Sequence, residues 1–362
     1  MKVLQLIDSL EAGGAERMAV NLANGLVSYI DGAFICATRK EGALKTTISK
    51  DVGYLFLDRQ RTLDFKAVLR LSRYIKSERI TIIHAHSSSF FLATLVKLLQ
   101  PKVKIVWHDH YGNRDKTNLK LKVVLNICAL FFSSVICVSK DIQKWLKQHL
   151  ITQFKITYLP NFAVLIKQDS NDKAILLAGE SGKRIICLAN LRSEKGHLYL
   201  VKAFKSVVEK HPDWTLHLVG NDLKDEYSKK LHNKIKLLHL DQNVFIYGSL
   251  SNVNFVLEQC SIAVLTSVYE GLPVSLLEYG LASTPVICTN VGDCSQLIKN
   301  KNTGLLIPAK SIDSIATAIL FYISHPLERL NYSKRLHNHI KSHFSEESVI
   351  AQLLSIYKRT LS

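Results

Sequence analysis

Short apolar runs alternate with longer helical patterns along the chain. "KVLQLID", "AFICAT", "GYLFL", "ITIIHAH", "KVKIVWH", "SVICVS" and "KITYLPN" have the length and character of strands. Apolar residues recur at helical spacing near 14–29, 64–77, 90–99, 118–132 and 141–150. This strand–helix–strand rhythm predicts a mostly parallel, doubly wound α/β sheet. It lapses between Asn161 and Lys183, where "QDSNDKAILLAGESGK" reads as a linker. It restarts with "RIICLAN", "WTLHLVG", "NVFIYG", "IAVLTS", "TPVICT" and "TGLLIP", with helical segments from about Gly196 and Asp225 and more helices to the end. The 362 residues exceed one ordinary core and suit two domains. Two Rossmann-like domains are expected, residues 1–165 and 175–340, with a ligand cleft between their strand ends.

Composition narrows the partners. Hydrophobic residues make up 47% and charged residues 21%, ordinary for a globular protein. The seven cysteines are scattered, without a CxxC or Cys/His pattern, and read as reduced core residues of a cytosolic protein. "MKVLQLIDSL" reads as a first strand, not a secretion signal. The longest apolar stretch, Val123 to Val138, is broken by Asn126, Ser133 and Ser134 and is too short to span a bilayer. Net charge is +17, of which residues 1–160 carry +12. A basic front half fits an anionic partner: nucleic acid, a membrane surface or a phosphorylated substrate. From Lys97 to Lys122 there are seven Lys/Arg and two Asp beside apolar residues, a pattern that can lie on an anionic membrane.

The chemistry concentrates in "VYEGLPVSLLEYG", where Glu270 and Glu278 stand eight positions apart. "IAVLTS" is a buried strand, so Ser267 to Gly271 fall at its C-terminal tip, and Pro273 suits the first turn of the next helix. Gly271, Leu272, Pro273 and Val274 then open a helix whose free N–H groups favour phosphate oxygens. Glu270 precedes that helix and Glu278 lies inside it, so carboxylates for hydroxyls flank a site for phosphate, which suits a sugar nucleotide. "IVWHDHYGN" sets His108, Asp109 and His110 at another strand tip, where a neutral histidine can hydrogen-bond a sugar hydroxyl. No further metal ligand is specified there, so no metal site is expected. His84 and His86 in "HAH" read as core or supporting histidines, one of them a candidate to line an acceptor site.

Taken in order, these motifs resemble those of the retaining glycosyltransferases of family 4, the group 1 glycosyl transferases with two Rossmann-like domains (GT-B). "VYEGLPVSLLEYGLASTPVICTNVGD" is similar to that family's signature over its length. "ANLRSEKGHLYLVKAF", "LHLVGND", "VFIYGSLSNV" and "NTGLLIP" agree, as do "AGGAERMAVNLANGL" and "IIHAHSSS" in the first half. The resemblance implies that residues 1–165 bind the acceptor, with a last helix, 345–362, packing back on them, and that residues 175–340 bind the donor. Glu270 would contact the donor sugar and Glu278 the ribose. Lys195 would neutralise the leaving diphosphate. The family's usual arginine five residues before that lysine is Asn190 here, and Arg192 is the candidate to take its role. Gly13 and Gly14, and Gly248, Ser249 and Leu250, complete the implied donor site. Gly292 and Asp293 match a neighbouring loop, where Gln296 replaces a common glutamate. Either His108 or His110 would face the donor sugar.

The implied reaction moves a hexosyl or N-acetylhexosaminyl group, with retention, from a UDP- or GDP-sugar to a saccharide or lipid-linked saccharide hydroxyl. It needs no metal cofactor if Lys195, Arg192 and the helix start carry the charge. Bacterial cell-surface polysaccharide synthesis is the implied setting, in the cytoplasm or on the inner face of its membrane. A sugar-nucleotide epimerase shares the fold, but the Glu270–Glu278 motif with "SEKG" disfavours it. A non-catalytic binder of an anionic polymer would explain the charge, but that charge is diffuse and no nucleic-acid motif accompanies it.

Overall fold

The structure is a computed structural model that describes residues 1–111, 114, 118–151, 156–164, 175–250 and 252–362. Part of the linker candidate and part of the basic 97–122 segment lie outside the described residues. The chain forms two compact units, Met1–Phe162 with Glu346–Ser362, and Ala163–Ser345.

The first unit runs β1 (Lys2–Ser9), α1 (Gly14–Leu26), β2 (Gly32–Lys40), β3 (Gly53–Phe56), α2 (Phe65–Glu78), β4 (Ile82–His86), α3 (Phe90–Leu99), β5 (Lys104–Asp109), α4 (Leu119–Ala129), β6 (Ser134–Cys137), α5 (Lys140–His149) and β7 (Ile156–Tyr158). All seven strands are parallel, in the order β3-β2-β1-β4-β5-β6-β7. The helices start where side chains cap them. Asp64 accepts from Ala67 N, Asn118 from Leu121 N and Ser139 from Ile142 N. The predicted helices agree to within a few residues; the first stops at Leu26, not Tyr29.

Strand alternation gives the sheet two different faces. Leu4, Leu6, Ile83, Ala85, Ile105, Trp107, Val135 and Cys137 enter one continuous apolar core. Gln5, His84, His86 and His108 occupy alternate positions and point the other way, yet all are at most 1% exposed. The last helix, which belongs to this unit, brings Tyr357 against that polar row.

The second unit runs β8 (Arg184–Leu188), α6 (His197–Lys210), β9 (Thr215–Val219), α7 (Glu226–Leu237), β10 (Val244–Gly248), α8 (Val253–Glu258), β11 (Ile262–Leu265), α9 (Val274–Leu281), β12 (Val286–Thr289), α10 (Cys294–Leu297), β13 (Leu305–Ile307), α11 (Ile312–Ser324) and α12 (Pro326–His343). Its sheet is parallel, in the order β10-β9-β8-β11-β12-β13. The chain then ends in α13 (Glu346–Leu361). Strand order reverses between β1 and β4 in the first unit and between β8 and β11 in the second, and ligands of open α/β sheets bind beyond such points.

Candidate active site

In the second unit the loops leaving β8 and β11 lie together at the switch point. Asn190 Oδ1 accepts from Asn221 N at 2.8 Å, which ties the β8 loop to the β9 loop. Asn190 therefore braces the loops, a structural task that its place among donor-contact candidates did not foresee. A tight turn over Ser193–Lys195 leads to Gly196, whose φ is +72°. A Cβ on Gly196 would stand 2.1 Å from Thr266 O, so only glycine fits both the backbone and the contact. Val268 N donates to Glu194 O at 2.7 Å and Thr266 Oγ1 to Lys195 O at 3.2 Å.

This docking sets Lys195 Nζ 2.6 Å from Glu270 Oε1, an oxygen that also accepts from Ser267 Oγ at 2.6 Å. Glu270 is 8% exposed, while the Lys195 side chain keeps a quarter of its surface in solvent. Gly292 braces the same loop. Its φ is +52°, and a Cβ there would stand 2.1 Å from Glu270 O. Asp293 N donates to Gly271 O at 2.9 Å. Gly271, Leu272, Pro273 and Val274 are buried. Pro273 stands at the N-cap, one position before the helix, not inside its first turn. Glu278 is 4% exposed, a carboxylate buried inside α9 and not on its solvent face. The adjacent Tyr279 accepts from Leu188 N at 2.6 Å, which anchors α9 beneath the end of β8.

The remaining candidates are more dispersed. Arg192 is exposed. Gly248 ends β10 and Ser249 and Leu250 follow it, on the same sheet edge but two strands from β8. Gly248 has φ +71° in open space. Gln296 accepts from His339 Nε2 through its backbone oxygen at 3.0 Å.

In the first unit Gly13 caps α1 in extended backbone, and Gly14 is exposed beside it. Asp109 turns to the apolar face and forms a two-point ion pair with Arg114, both bonds 2.8 Å. His108 lies on the opposite face with no exposed surface, so it does not stand at the open strand end that its sequence position allowed. His110, just beyond β5, is the partly exposed member of the pair. The structure adds His84 and His86 to them. His84 Nε2 is 3.1 Å from His108 Nδ1, and His86 Nδ1 is 2.9 Å from His110 Nε2. Burial pushes all four pKa values down, to about 3 for His84 and His110, so the rings are neutral at neutral pH.

His84, His86 and His108 offer nitrogens within 4.8 Å of one another, the spacing of a metal site. Their rings are roughly parallel, 13° between His84 and His86 and 22° between His84 and His108. Lone pairs of such stacked rings run side by side instead of converging on one ion, and hydrogen bonds already engage His84 and His86 through both nitrogens. The arrangement fits a hydrogen-bonded chain better than a metal centre.

Sequence reasoning passed over Gln5, Asp8 and Tyr357. Asp8 accepts from Thr38 Oγ1 (2.6 Å), Ser88 Oγ (2.7 Å) and Arg59 Nη2 (3.1 Å), tying the ends of β1 and β2 to the loops after β3 and β4. The available signal was alternation: His-x-His at the ends of two apolar runs places four rings on one sheet face.

Comparison with known proteins identifies the family and the fold. The model for "Glycosyltransferase Family 4" matches residues 12–165, and that for "Glycosyl transferases group 1" matches residues 168–341. An uncharacterized glycosyltransferase of Haemophilus influenzae is 24% identical over 320 residues, 87% of this chain and 88% of its own. The Escherichia coli UDP-Gal:alpha-D-GlcNAc-diphosphoundecaprenol alpha-1,3-galactosyltransferase is 26% identical over 314 residues, 81% of this chain and 79% of its own. The crystal structure of Anabaena HepE in complex with UDP and glucose superposes with a TM-score of 0.82 over 99% of both chains, at 19% identity. Two parallel Rossmann-like sheets define the GT-B class. Within it, this chain belongs to the family 4, group 1 glycosyltransferases and is a glycosyltransferase.

Proposed function

We propose that the chain transfers a hexose or N-acetylhexosamine, with retention of anomeric configuration, from a UDP-sugar to a saccharide carried on a lipid diphosphate. The carrying observation is the Lys195–Glu270 pair beside the start of α9 at the second unit's switch point. Lys195 is partly exposed and turns from Glu270 to the donor diphosphate, stabilising the charge that grows as the glycosidic bond breaks. Glu270, released, takes hydroxyls of the sugar. Glu278, already desolvated, takes the ribose diol. Exposed Arg192 supplies the second cation in place of Asn190, and no metal is needed in that charge balance. His110 takes a hydroxyl of a sugar at the β5 end. The UDP base and lipid-linked acceptor are favoured by the relatives, one named for a UDP-galactose donor and a diphosphoundecaprenol acceptor, another bound to UDP and glucose. The first unit is the acceptor side, and its basic, apolar segment rests on an anionic membrane that holds the acceptor.

A thermal-shift screen against UDP, GDP, ADP and their common sugars tests this reading. UDP and one UDP-sugar should raise the melting temperature by several degrees, and Glu278→Ala and Lys195→Ala should abolish the rise. No rise with any nucleotide at millimolar concentration would sink the reading.

A further inference from the structure

The buried polar row of the first unit forms a connected hydrogen-bond chain with a definite direction. Gln5 sits at its centre. Its Nε2 donates to Tyr357 Oη at 3.3 Å, and its Oε1 lies 2.8 Å from His86 Nε2. With the amide turned so that Oε1 faces His86, the oxygen only accepts, and His86 then carries its proton on Nε2. Neutral His86 then has a lone pair on Nδ1, and the 2.9 Å contact there requires the proton of His110 on Nε2. That leaves Nδ1 of His110 as an acceptor with no partner among the described residues, at the partly exposed end of the row.

The second branch follows the same logic. Tyr357 Oη accepts from Gln5 and donates to His84 Nδ1 at 2.5 Å. His84 Nε2 donates to His108 Nδ1 at 3.1 Å. His108 Nε2 ends the branch, buried and without a partner among the described residues. One amide thus fixes the protonation pattern of all four rings, because turning it over would reverse every bond in both branches.

We propose that Gln5 and His86, with Tyr357 of the C-terminal helix holding the amide in place, are positioning residues that present His110 Nδ1 as a hydrogen-bond acceptor to a sugar hydroxyl. The inference rests on the reading of His110 as sugar-facing. It adds which atom does the work, what sets it, and why α13 matters to the chemistry of this unit. A hydroxyl donor is chosen over a carboxylate or phosphate oxygen, since those could not donate to a lone pair.

The test uses full-length protein labelled with 15N-histidine. Long-range 1H–15N correlation at pH 7.5 should give the Nε2–H pattern for His86 and His110, assigned through His86→Gln and His110→Gln. Gln5→Met should disturb both patterns, and Gln5→Glu, whose carboxylate still accepts from His86, should restore them. UDP release from UDP-glucose, UDP-galactose and UDP-N-acetylglucosamine supplies the functional readout. Gln5→Met should lower kcat/KM for the preferred sugar nucleotide about 3–10-fold, the worth of one hydrogen bond, with binding of UDP alone unchanged. Gln5→Glu should recover most of that loss. An Nδ1–H pattern for His110 in the unaltered protein, or patterns indifferent to Gln5→Met, would overturn the proposal. The expected patterns together with normal kinetics in His110→Gln would also overturn it, and would place the failure in the sugar-facing reading, not in the bond order.

Discussion

At the residue scale, neighbours in sequence have divergent fates. His108, Asp109 and His110 read as one polar tip, yet strand alternation sends Asp109 to the opposite face from the histidines. Asp109 has no exposed surface and Arg114 is 3% exposed. The guanidinium also lies over Tyr111, 4.1 Å from the ring centre, and near Trp107 at 5.5 Å. Removing one charge from such a pair strands the other where water cannot reach it. Asp109→Ala should therefore destabilise the first unit by about 3–5 kcal/mol, whereas breaking an exposed pair such as Lys229–Glu226 should cost about 0–1 kcal/mol. Denaturant unfolding followed by tryptophan fluorescence measures both, and equal small losses would contradict the account. The pairing was not legible in sequence, because Arg114 follows the strand end and only the fold turns it back. Lys195 and Glu270 were legible as a candidate pair through their motifs, but their direct 2.6 Å contact was not. It depends on Gly196 and Gly292 letting backbones approach to distances no Cβ permits.

At the element scale, α4 departs from the usual amphipathic helix. Leu125, Cys128 and Ala129 face the core, while Leu119 (76% exposed), Val123 (51%), Ile127 (57%) and Leu130 (72%) form a second apolar stripe toward solvent. Ile151 (76% exposed) adjoins it, because Asn126 Oδ1 accepts from Ile151 N at 2.8 Å. The sequence showed the basic surplus and the apolar company of this segment; only burial shows that the apolar side chains are left uncovered. No described helix is long and apolar enough to cross a membrane. An apolar stripe with exposed Lys120, Lys144 and Lys147 nearby in the chain suits the boundary of an anionic bilayer. The full chain should co-sediment with vesicles containing a third phosphatidylglycerol and much less with neutral ones. Ile127→Asp should cut that binding about tenfold or more without changing the UDP thermal shift, and high salt should weaken the wild type. Binding indifferent to Ile127→Asp would assign the basic charge another partner.

At the scale of the whole molecule, the α/β rhythm made both sheets legible, because parallel strands buried on both faces leave continuous apolar runs between helices. The rhythm did not reveal that each unit keeps buried, uncharged histidines. Besides the four in the first unit, His197 and His217 of the second are pushed down to about 4 by burial. Each of these groups has a folded pKa below its unfolded value near 6.5, so below that pH the unfolded chain takes up protons that the folded chain refuses. Stability is therefore lost as pH falls from about 6.5 toward the folded values, at about 1.4 kcal/mol per pH unit for each histidine. Between pH 7 and pH 5 that amounts to about 2 kcal/mol per group. The first unit holds four such rings in one hydrogen-bonded chain, and three of them, His84, His86 and His108, cannot take a proton without giving up a bond, so it should be the more acid-sensitive. Trp214→Phe leaves Trp107 and Trp145, both in the first unit, as the fluorescent reporters. Urea unfolding of that variant should show the first unit's midpoint falling steeply between pH 7 and pH 5, ahead of the loss of helical circular dichroism from the second. A midpoint unchanged across that range would mean that the folded row takes up protons as readily as the unfolded chain, so that the neutral bond order making His110 Nδ1 an acceptor would not outlast a fall below about pH 6.5.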